Sequence, residues 1–416
     1  MSTTPPARRT GRRRAAVGLV LAGSLVLAAC GDDESSDAEP TTAPADTGTA
    51  DTEPASTEPA STEPASTDGA ATGPLAGVCP DPVVIQTDWF PESEHGALYQ
   101  LVGDDPEIDA GGKIVSGPMV LTGGAPAGVN VEIRSGGPAI GFQPVSAQLY
   151  ADPGITIGYV STDEATLNAD ELPTVAVVAP LEKNPQIIMW DPETYPDVTS
   201  IADLGELGVT INVFSGGTFI DVFVNEGVLT QDQIDPSYDG SPARFIAEAG
   251  AIAQQGFASE SPFSYEQVYE EWARPVAFEL IHDAGLEVYS QPLAVRAGDL
   301  EELRPCLELL VPAVQQAAVD FVTDPAETNA LIVEVVETFD DFWVYPAELA
   351  EFSVATMLEL ELIANGPDAT LGNFVEDRVQ GVIDQMTAAG MGVPEGLTAA
   401  DIVTNEFIDD SIGLPG

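Results

Sequence analysis

Several side chains in this 416-residue chain have the chemistry to hold a small molecule. Trp89 and Tyr99 offer flat, largely apolar faces on which a planar ring can rest. His95 lies between them and can donate or accept a hydrogen bond, with a charge that responds near neutral pH. Asp88 and Glu92 stand on the same short stretch. Glu260 can accept from an amino group or a protonated ring nitrogen, a charge-assisted bond that is strong away from water. The turn Ser215-Gly216-Gly217-Thr218 presents backbone N–H groups and a hydroxyl at a helix start, a seat for an anionic or polar group. Tyr265, Trp343 and Tyr345 are further aromatic candidates. Taken singly each has a plainer explanation: a Trp after a strand packs in a core, a His satisfies a neighbouring carbonyl, and Ser-Gly-Gly-Thr simply begins a helix.

Catalytic and metal chemistry have little to work with. The two histidines, His95 and His282, are far apart, and no Cys-x-x-Cys or His-Glu-x-x-His spacing occurs. A Gly-x-Ser-x-Gly elbow and a phosphate loop ending in Gly-Lys-Ser/Thr are also missing. No catalytic residue, metal or cofactor is therefore expected. The enzyme alternative is a secreted or anchored protein using His95 with Glu92 or Glu260 as acid and base. A sensor or scaffold domain that keeps the fold without transport is another.

The elements that must position these residues are short strands alternating with helices. β-Branched or alternating runs predict strands at Val83–Thr87, Val129–Ile133, Ile155–Val160, Thr174–Val178, Gly208–Val213 and Leu286–Tyr289. The C-terminal third reads as helical: one helix capped by Asp299, one opened by Asp324-Pro325, one opened by Pro346, and one from Leu371 to Ala389 stopped by Gly390. Repeated strand, turn and helix define an α/β body with mostly parallel sheets. Ligands of such sheets bind beyond the carboxyl ends of the strands. The turns after residues 87, 134 and 213, the second carrying Gly136-Gly137, occupy such positions.

The stretch Gln86-Thr87-Asp88-Trp89-Phe90-Pro91-Glu92-Ser93-Glu94-His95-Gly96-Ala97-Leu98-Tyr99 resembles the N-terminal signature of ABC-importer solute-binding proteins of the thiamine-pyrimidine-precursor type. Asp88, Trp89, Pro91, His95, Leu98 and Tyr99 match that signature, while Glu92 stands where the family has Asn. Gly136-Gly137, Ser215 to Thr218, and the segment Gln255 to Pro262 continue the resemblance in order, over roughly residues 80–340. It implies a two-lobed periplasmic-binding-protein fold of type II topology, with a hinge and an interlobe cleft. Lobe 1 is expected to comprise 78–188 plus 290–416, and lobe 2 to comprise 189–289. The implied ligand site is Asp88, Trp89, Glu92, His95, Tyr99, Gly136, Gly137, Ser215, Gly216, Gly217, Thr218, Glu260 and Tyr265. The implied function is capture of a small planar or heteroaromatic nutrient, such as a pyrimidine precursor of thiamine, for an ABC permease. A small anion such as a sulfonate or nitrate is the alternative within the class.

The ends and the charge say where such a protein works. Arg8, Arg9, Arg12, Arg13 and Arg14 precede an apolar run to Leu27, a signal-peptide pattern over 1–29. Leu27-Ala28-Ala29-Cys30 resembles a bacterial lipobox, which makes Cys30 the lipidated residue and the membrane a partner through that lipid. The paired arginines also raise twin-arginine export. Residues 30–77 are rich in Thr, Pro, Ala, Ser, Asp and Glu, repeat Thr-Glu-Pro-Ala-Ser, and are expected to form an unfolded tether. No run after the signal reads as long and apolar enough to span a membrane. Cys79 and Cys306 remain as an even pair in an oxidising compartment, where a disulfide is expected. The net charge of −55 excludes nucleic acid as a partner. The acidic residues are spread through the body and are read as adaptation to salty surroundings rather than as a statement about the ligand. A monomer is expected.

Overall fold

Short strands, several of them apolar on both faces and feeding two cores, build the architecture. The computed structural model describes residues 72–415, all within the unit that begins at Thr67. The expected signal peptide, Cys30 and most of the tether lie outside the described residues. The strands are β1 (Val83–Gln86), β2 (Glu107–Asp109), β3 (Ile114–Leu121), β4 (Ala125–Arg134), β5 (Ile157–Tyr159), β6 (Thr174–Val178), β7 (Gln186–Trp190), β8 (Ile211–Asn212), β9 (Ile234–Asp235), β10 (Ala253–Phe257), β11 (Ala277–Leu280) and β12 (Leu293–Arg296). They form two sheets, ordered β2-β3-β4-β1-β5-β12-β6 and β11-β7-β10-β8-β9.

The two sheets share one plan. In the first, β1 is flanked in parallel by β4 and β5, and β12 runs antiparallel between β5 and β6. In the second, β8 is flanked in parallel by β9 and β10, and β7 runs antiparallel between β10 and β11. Each antiparallel strand is the first one entered after the chain changes sheets. This is the type II topology of the two-lobed periplasmic-binding-protein fold, enlarged by the antiparallel β2–β3 edge on β4. Alternation does the packing: Val83 and Ile85 of β1 enter one core and Val84 another. Ile187 and Met189 of β7 likewise face one core, and Ile188 and Trp190 the opposite one.

Five sequence expectations need correction. The folded body begins earlier than residue 78, because Leu75 is buried in the first lobe's core and its N–H donates to the Ala127 carbonyl. The first crossing lies between Val178 and Gln186, since Gln186–Trp190 already pairs in the second sheet. Leu286–Tyr289 is not a strand; it is the second crossing, with Leu286, Val288 and Tyr289 buried, and the strand that follows is β12. The helix Leu300–Thr323 is long and apolar enough to pass as a membrane span by length and composition. Its apolar residues, among them Leu307, Leu310, Val314 and Phe321, are spent on the cores. Asp299 stands at that helix's start, but its carboxylate pairs with Arg296 instead of capping.

The C-terminal third does not belong to one lobe. On the helix Glu376–Ala388, Val379 and Ile383 pack with the first lobe while Val382 and Met386 pack with the second. Arg378 of that helix reaches both crossings, as its guanidinium donates to the Glu182 side chain and carbonyl and to the Glu287 and Val288 carbonyls.

Cys79 and Cys306 form a disulfide that ties the start of the body to the helix Leu300–Thr323, across a sequence separation of 227. Replacing both by Ser releases a long loop in the unfolded chain. It should lower stability by about 2–4 kcal/mol, read as a lower midpoint in guanidinium unfolding.

Candidate functional site

The loops after the carboxyl ends of the parallel strands meet in a cleft between the lobes, with a volume of about 790 Å³. From the first lobe come Asp88, Trp89, Glu92 and Glu94 after β1, Phe142 after β4, and Tyr159, Asp163 and Glu164 at the end of β5 and in the helix Thr162–Leu167. From the second come Phe214 to Phe219 after β8, Tyr238 and Asp239 after β9, and Phe257, Glu260, Tyr265 and Tyr269 after β10. Ser290 and Gln291 enter from the second crossing, and Trp343 from the turn before the helix Ala347–Glu359.

Carboxyl groups crowd the floor. The His95 Nε2 lies 2.9 Å from Asp88 Oδ1 and 3.7 Å from Glu92 Oε1. Glu94 accepts from the Ser259 hydroxyl of the other lobe, and Gln291 Nε2 lies 3.2 Å from Asp88 Oδ2 and 3.4 Å from Glu94 Oε2. Glu260 accepts from Ser261 Oγ at 2.8 Å. Burial pushes the Glu94 carboxyl up to about 7; Asp88 and Glu260 push the same way, and hydrogen bonds from Ser259 and Gln291 oppose it. Glu92 rises well above the ordinary range, first through burial and then through Glu94, Asp88 and Glu260. Glu260 is raised by burial, against hydrogen bonds from Ser264 and Ser261. Glu164 is also pushed up to about 7 by burial, although the Ser146 N–H donates to it at 2.8 Å. With Asp163 and Asp239, the lining holds seven carboxyl groups, and none of the described Lys or Arg residues belongs to it.

Aromatic rings form the walls. On the first lobe Trp89 lies 6.0 Å from Phe142 and 6.2 Å from Trp343, centroid to centroid. On the second, Phe214 and Tyr238 are 4.5 Å apart and Tyr265 and Tyr269 are 5.2 Å apart. The π-helical segment Ser264–Val268 carries Tyr265, whose hydroxyl accepts from Gln254 Nε2 at 2.7 Å. Such segments recur at functional sites.

Of the residues singled out from sequence, Asp88, Trp89, Glu92, Ser215, Gly216, Gly217, Thr218, Glu260 and Tyr265 line the cleft. His95, Tyr99, Gly136 and Gly137 do not. The His95 ring is fully buried behind Asp88, 5.4 Å from the Tyr159 ring, and its Nδ1 has no partner. Tyr99 belongs to the first lobe's core, because the helix Gly96–Tyr99 turns it inward against the apolar side chains there. The two glycines act on their neighbours: the Gly136 N–H donates to the Trp89 carbonyl, and a Cβ on Gly137 would lie 2.4 Å from the Trp89 ring. Tyr345 is also buried, its hydroxyl accepting from the Ser93 N–H at 2.9 Å.

Gly137 also has φ +55°, a conformation that costs an L side chain energy. Gly137→Ala should therefore displace Trp89 and cost about 1–3 kcal/mol. A lowered Tm together with a red-shifted tryptophan emission would show it.

The turn Ser215 to Thr218 opens the helix Thr218–Glu226, as expected, but a protein carboxylate already faces it. The Thr218 hydroxyl donates to Asp163 Oδ2 across the cleft. Sequence reasoning missed Glu94, although it sits inside the stretch Gln86 to Tyr99. It also missed Asp163, Glu164, Phe142, Phe214, Tyr238, Tyr269 and Gln291, which only the meeting of the two lobes brings together.

No family model matches the chain, and no curated protein sequence matches it. Solved structures do. The aliphatic sulphonate binding protein SsuA of Escherichia coli is 14% identical at a TM-score of 0.49, covering 81% of this chain and 95% of its own. The alkanesulfonate-binding protein SsuA of Xanthomonas axonopodis pv. citri, solved bound to MOPS, is 15% identical at a TM-score of 0.47, covering 78% and 99%. A Candida albicans protein described as having the generic periplasmic binding protein structural fold is 11% identical at 0.46, covering 80% and 98%. The strand order and the cleft define the class on their own terms: a two-lobed periplasmic-binding-protein fold with an interlobe cleft.

Proposed function

We propose that this protein is an extracytoplasmic solute-binding protein, which captures a small planar or heteroaromatic nutrient in the interlobe cleft and delivers it to an ABC permease. A pyrimidine precursor of thiamine is the named candidate, and a lipid on Cys30 is the proposed anchor to the membrane. The observation that carries this reading is the cleft itself, walled by aromatic rings from both lobes and supplied with hydrogen-bonding groups at its floor. Stacking on such walls suits a flat ring, and the carboxyl groups suit its amino or ring N–H groups. The lobes touch through Thr218 with Asp163 and through Ser259 with Glu94, contacts that fit a site completed by closure.

A small anion such as a sulfonate or nitrate is the second reading, favoured by the backbone N–H groups of the Ser215 to Thr218 turn. It requires displacing Asp163 from that turn. Turnover finds no support in His95, whose ring is fully buried behind Asp88 and cannot reach a ligand in the cleft. Titration calorimetry with 4-amino-5-hydroxymethyl-2-methylpyrimidine and, separately, with ethanesulfonate and nitrate tests these readings. Binding of the pyrimidine that weakens at least tenfold in Trp89→Ala is the expected result. Sulfonate or nitrate binding in its place selects the second reading.

A further inference from the structure

We propose that the cleft is selective for positive charge, so that its natural ligand is an organic cation: a protonated amine, or a ring carrying a permanent positive charge. The proposal rests on the solute-binding reading and names the class of solute.

Three independent observations carry it. The first is charge balance. Each of the eight Lys and Arg residues within 72–415 is paired with a carboxylate outside the cleft lining, as Arg134 is with Glu132 and Asp152. None of the seven carboxyl groups of the lining pairs with a Lys or Arg. Asp239 is exposed and Asp88 faces His95, but Glu92, Glu94, Glu164 and Glu260 are taken from water without a cation, which is costly. Where no cation is bound, protons neutralise part of this charge, since burial pushes Glu94 up to about 7. A bound cation can take their place.

The second is an unsatisfied acceptor. Gln291 is only 5% exposed, and its Nε2 is committed to the Asp88 and Glu94 carboxylates. That leaves its Oε1 in the lining without a partner. Tyr159, 1% exposed and also a lining residue, likewise has a buried hydroxyl without a partner. Donor-bearing ligands such as ammonium or amino groups supply what Gln291 lacks.

The third is the set of aromatic faces above the carboxyl groups. Trp89, Phe142 and Trp343 on one lobe and Tyr265 with Tyr269 on the other attract a cation through their ring quadrupoles, and do so most strongly when water is excluded. A neutral ring can stack on the walls and donate N–H groups to the floor but leaves the floor's charge unbalanced. A cation does both and balances that charge.

The test holds ring shape constant and varies charge. The purified protein is dialysed to equilibrium at pH 7.5 against an equimolar mixture of 1-methylnicotinamide, nicotinamide, nicotinate, choline, putrescine and ethanesulfonate, and retention is read by mass spectrometry. At least one cation should be retained tenfold or more above nicotinamide, with nicotinate and ethanesulfonate excluded. That retention should be lost in Glu92→Gln/Glu260→Gln, an isosteric pair of changes that leaves the fold's apolar cores untouched and is checked by its melting curve. Retention of nicotinate or ethanesulfonate, or of nicotinamide equally with 1-methylnicotinamide, overturns the charge assignment while leaving the cleft a binding site. Retention of no compound of any charge overturns the cation assignment, and together with no binding of the pyrimidine, ethanesulfonate or nitrate in calorimetry it overturns the solute-binding reading as well.

Discussion

The unliganded protein should melt at a higher temperature at pH 5 than at pH 8. Glu94 and Glu164 are both raised to about 7, from the ordinary 4.5, chiefly by burial. The folded state therefore holds their protons more tightly than the unfolded chain does. Their contribution to stability is complete below about pH 4.5 and is lost as pH rises through about 7. Each is worth about 3 kcal/mol by linkage, so the fall between pH 5 and pH 8 amounts to several kcal/mol. Glu92 and Glu260, raised in the same direction, add to it. The lowered carboxyls, such as Asp203 and Asp401, act below the ordinary aspartate range and leave this window alone. His282, lowered to about 3 by burial and by Arg378 and Lys183, acts the other way. Below about pH 6.5 it is protonated only in the unfolded chain, which offsets at most about 2 kcal/mol of the gain at pH 5, since solvent screens its partly exposed ring. Scanning calorimetry in about 1 M salt, which screens the surface repulsion of so acidic a chain, isolates the buried groups. A Tm falling by several degrees over this range, and falling less in Glu94→Gln, is expected. A flat profile would contradict the proposed burial of uncompensated carboxyl groups.

Removing the Arg378 side chain should be strongly destabilising. Its guanidinium is 8% exposed, pairs with Glu182 at 2.9 Å in the first crossing, and donates to the Glu287 and Val288 carbonyls of the second. Its flat face lies 3.8 Å from the Tyr289 ring centroid. Arg378→Ala strands the partly buried Glu182 carboxylate and three carbonyls at once, which costs about 3–5 kcal/mol. Arg378→Lys keeps the charge but not the planar fork, so it should recover only part of the loss. Guanidinium unfolding midpoints of the three proteins measure this. If Arg378→Ala unfolds with the native midpoint, the two crossings are not held by this residue.

How much of this was legible in the sequence depends on the distance over which residues act. β1, β6 and the ends of most C-terminal helices follow from local pattern, and β6 falls on the expected Thr174–Val178. β12 was missed because Leu286–Tyr289, equally apolar, has the same local signature. Its residues are buried by the crossing and not by a sheet, which no window of sequence distinguishes. The same limit applies to the site. Asp88, Trp89 and Glu92 lie on one turn and could be named together, whereas Glu94 meets Ser259, and Asp163 meets Thr218, only once the lobes face each other. Tyr99 and Gly137 show the opposite failure: their residue types suit a ligand, but the fold uses one in its core and the other to seat Trp89.

The central claim is that the cleft holds a solute and returns it unchanged. Mass spectrometry of small molecules released on denaturing the purified protein, run beside Trp89→Ala, tests it most directly. One compound released near 1:1 from the native protein, unaltered, and strongly depleted from the variant is the expected result. No released compound, one released equally from both proteins, or one chemically converted during incubation would contradict it.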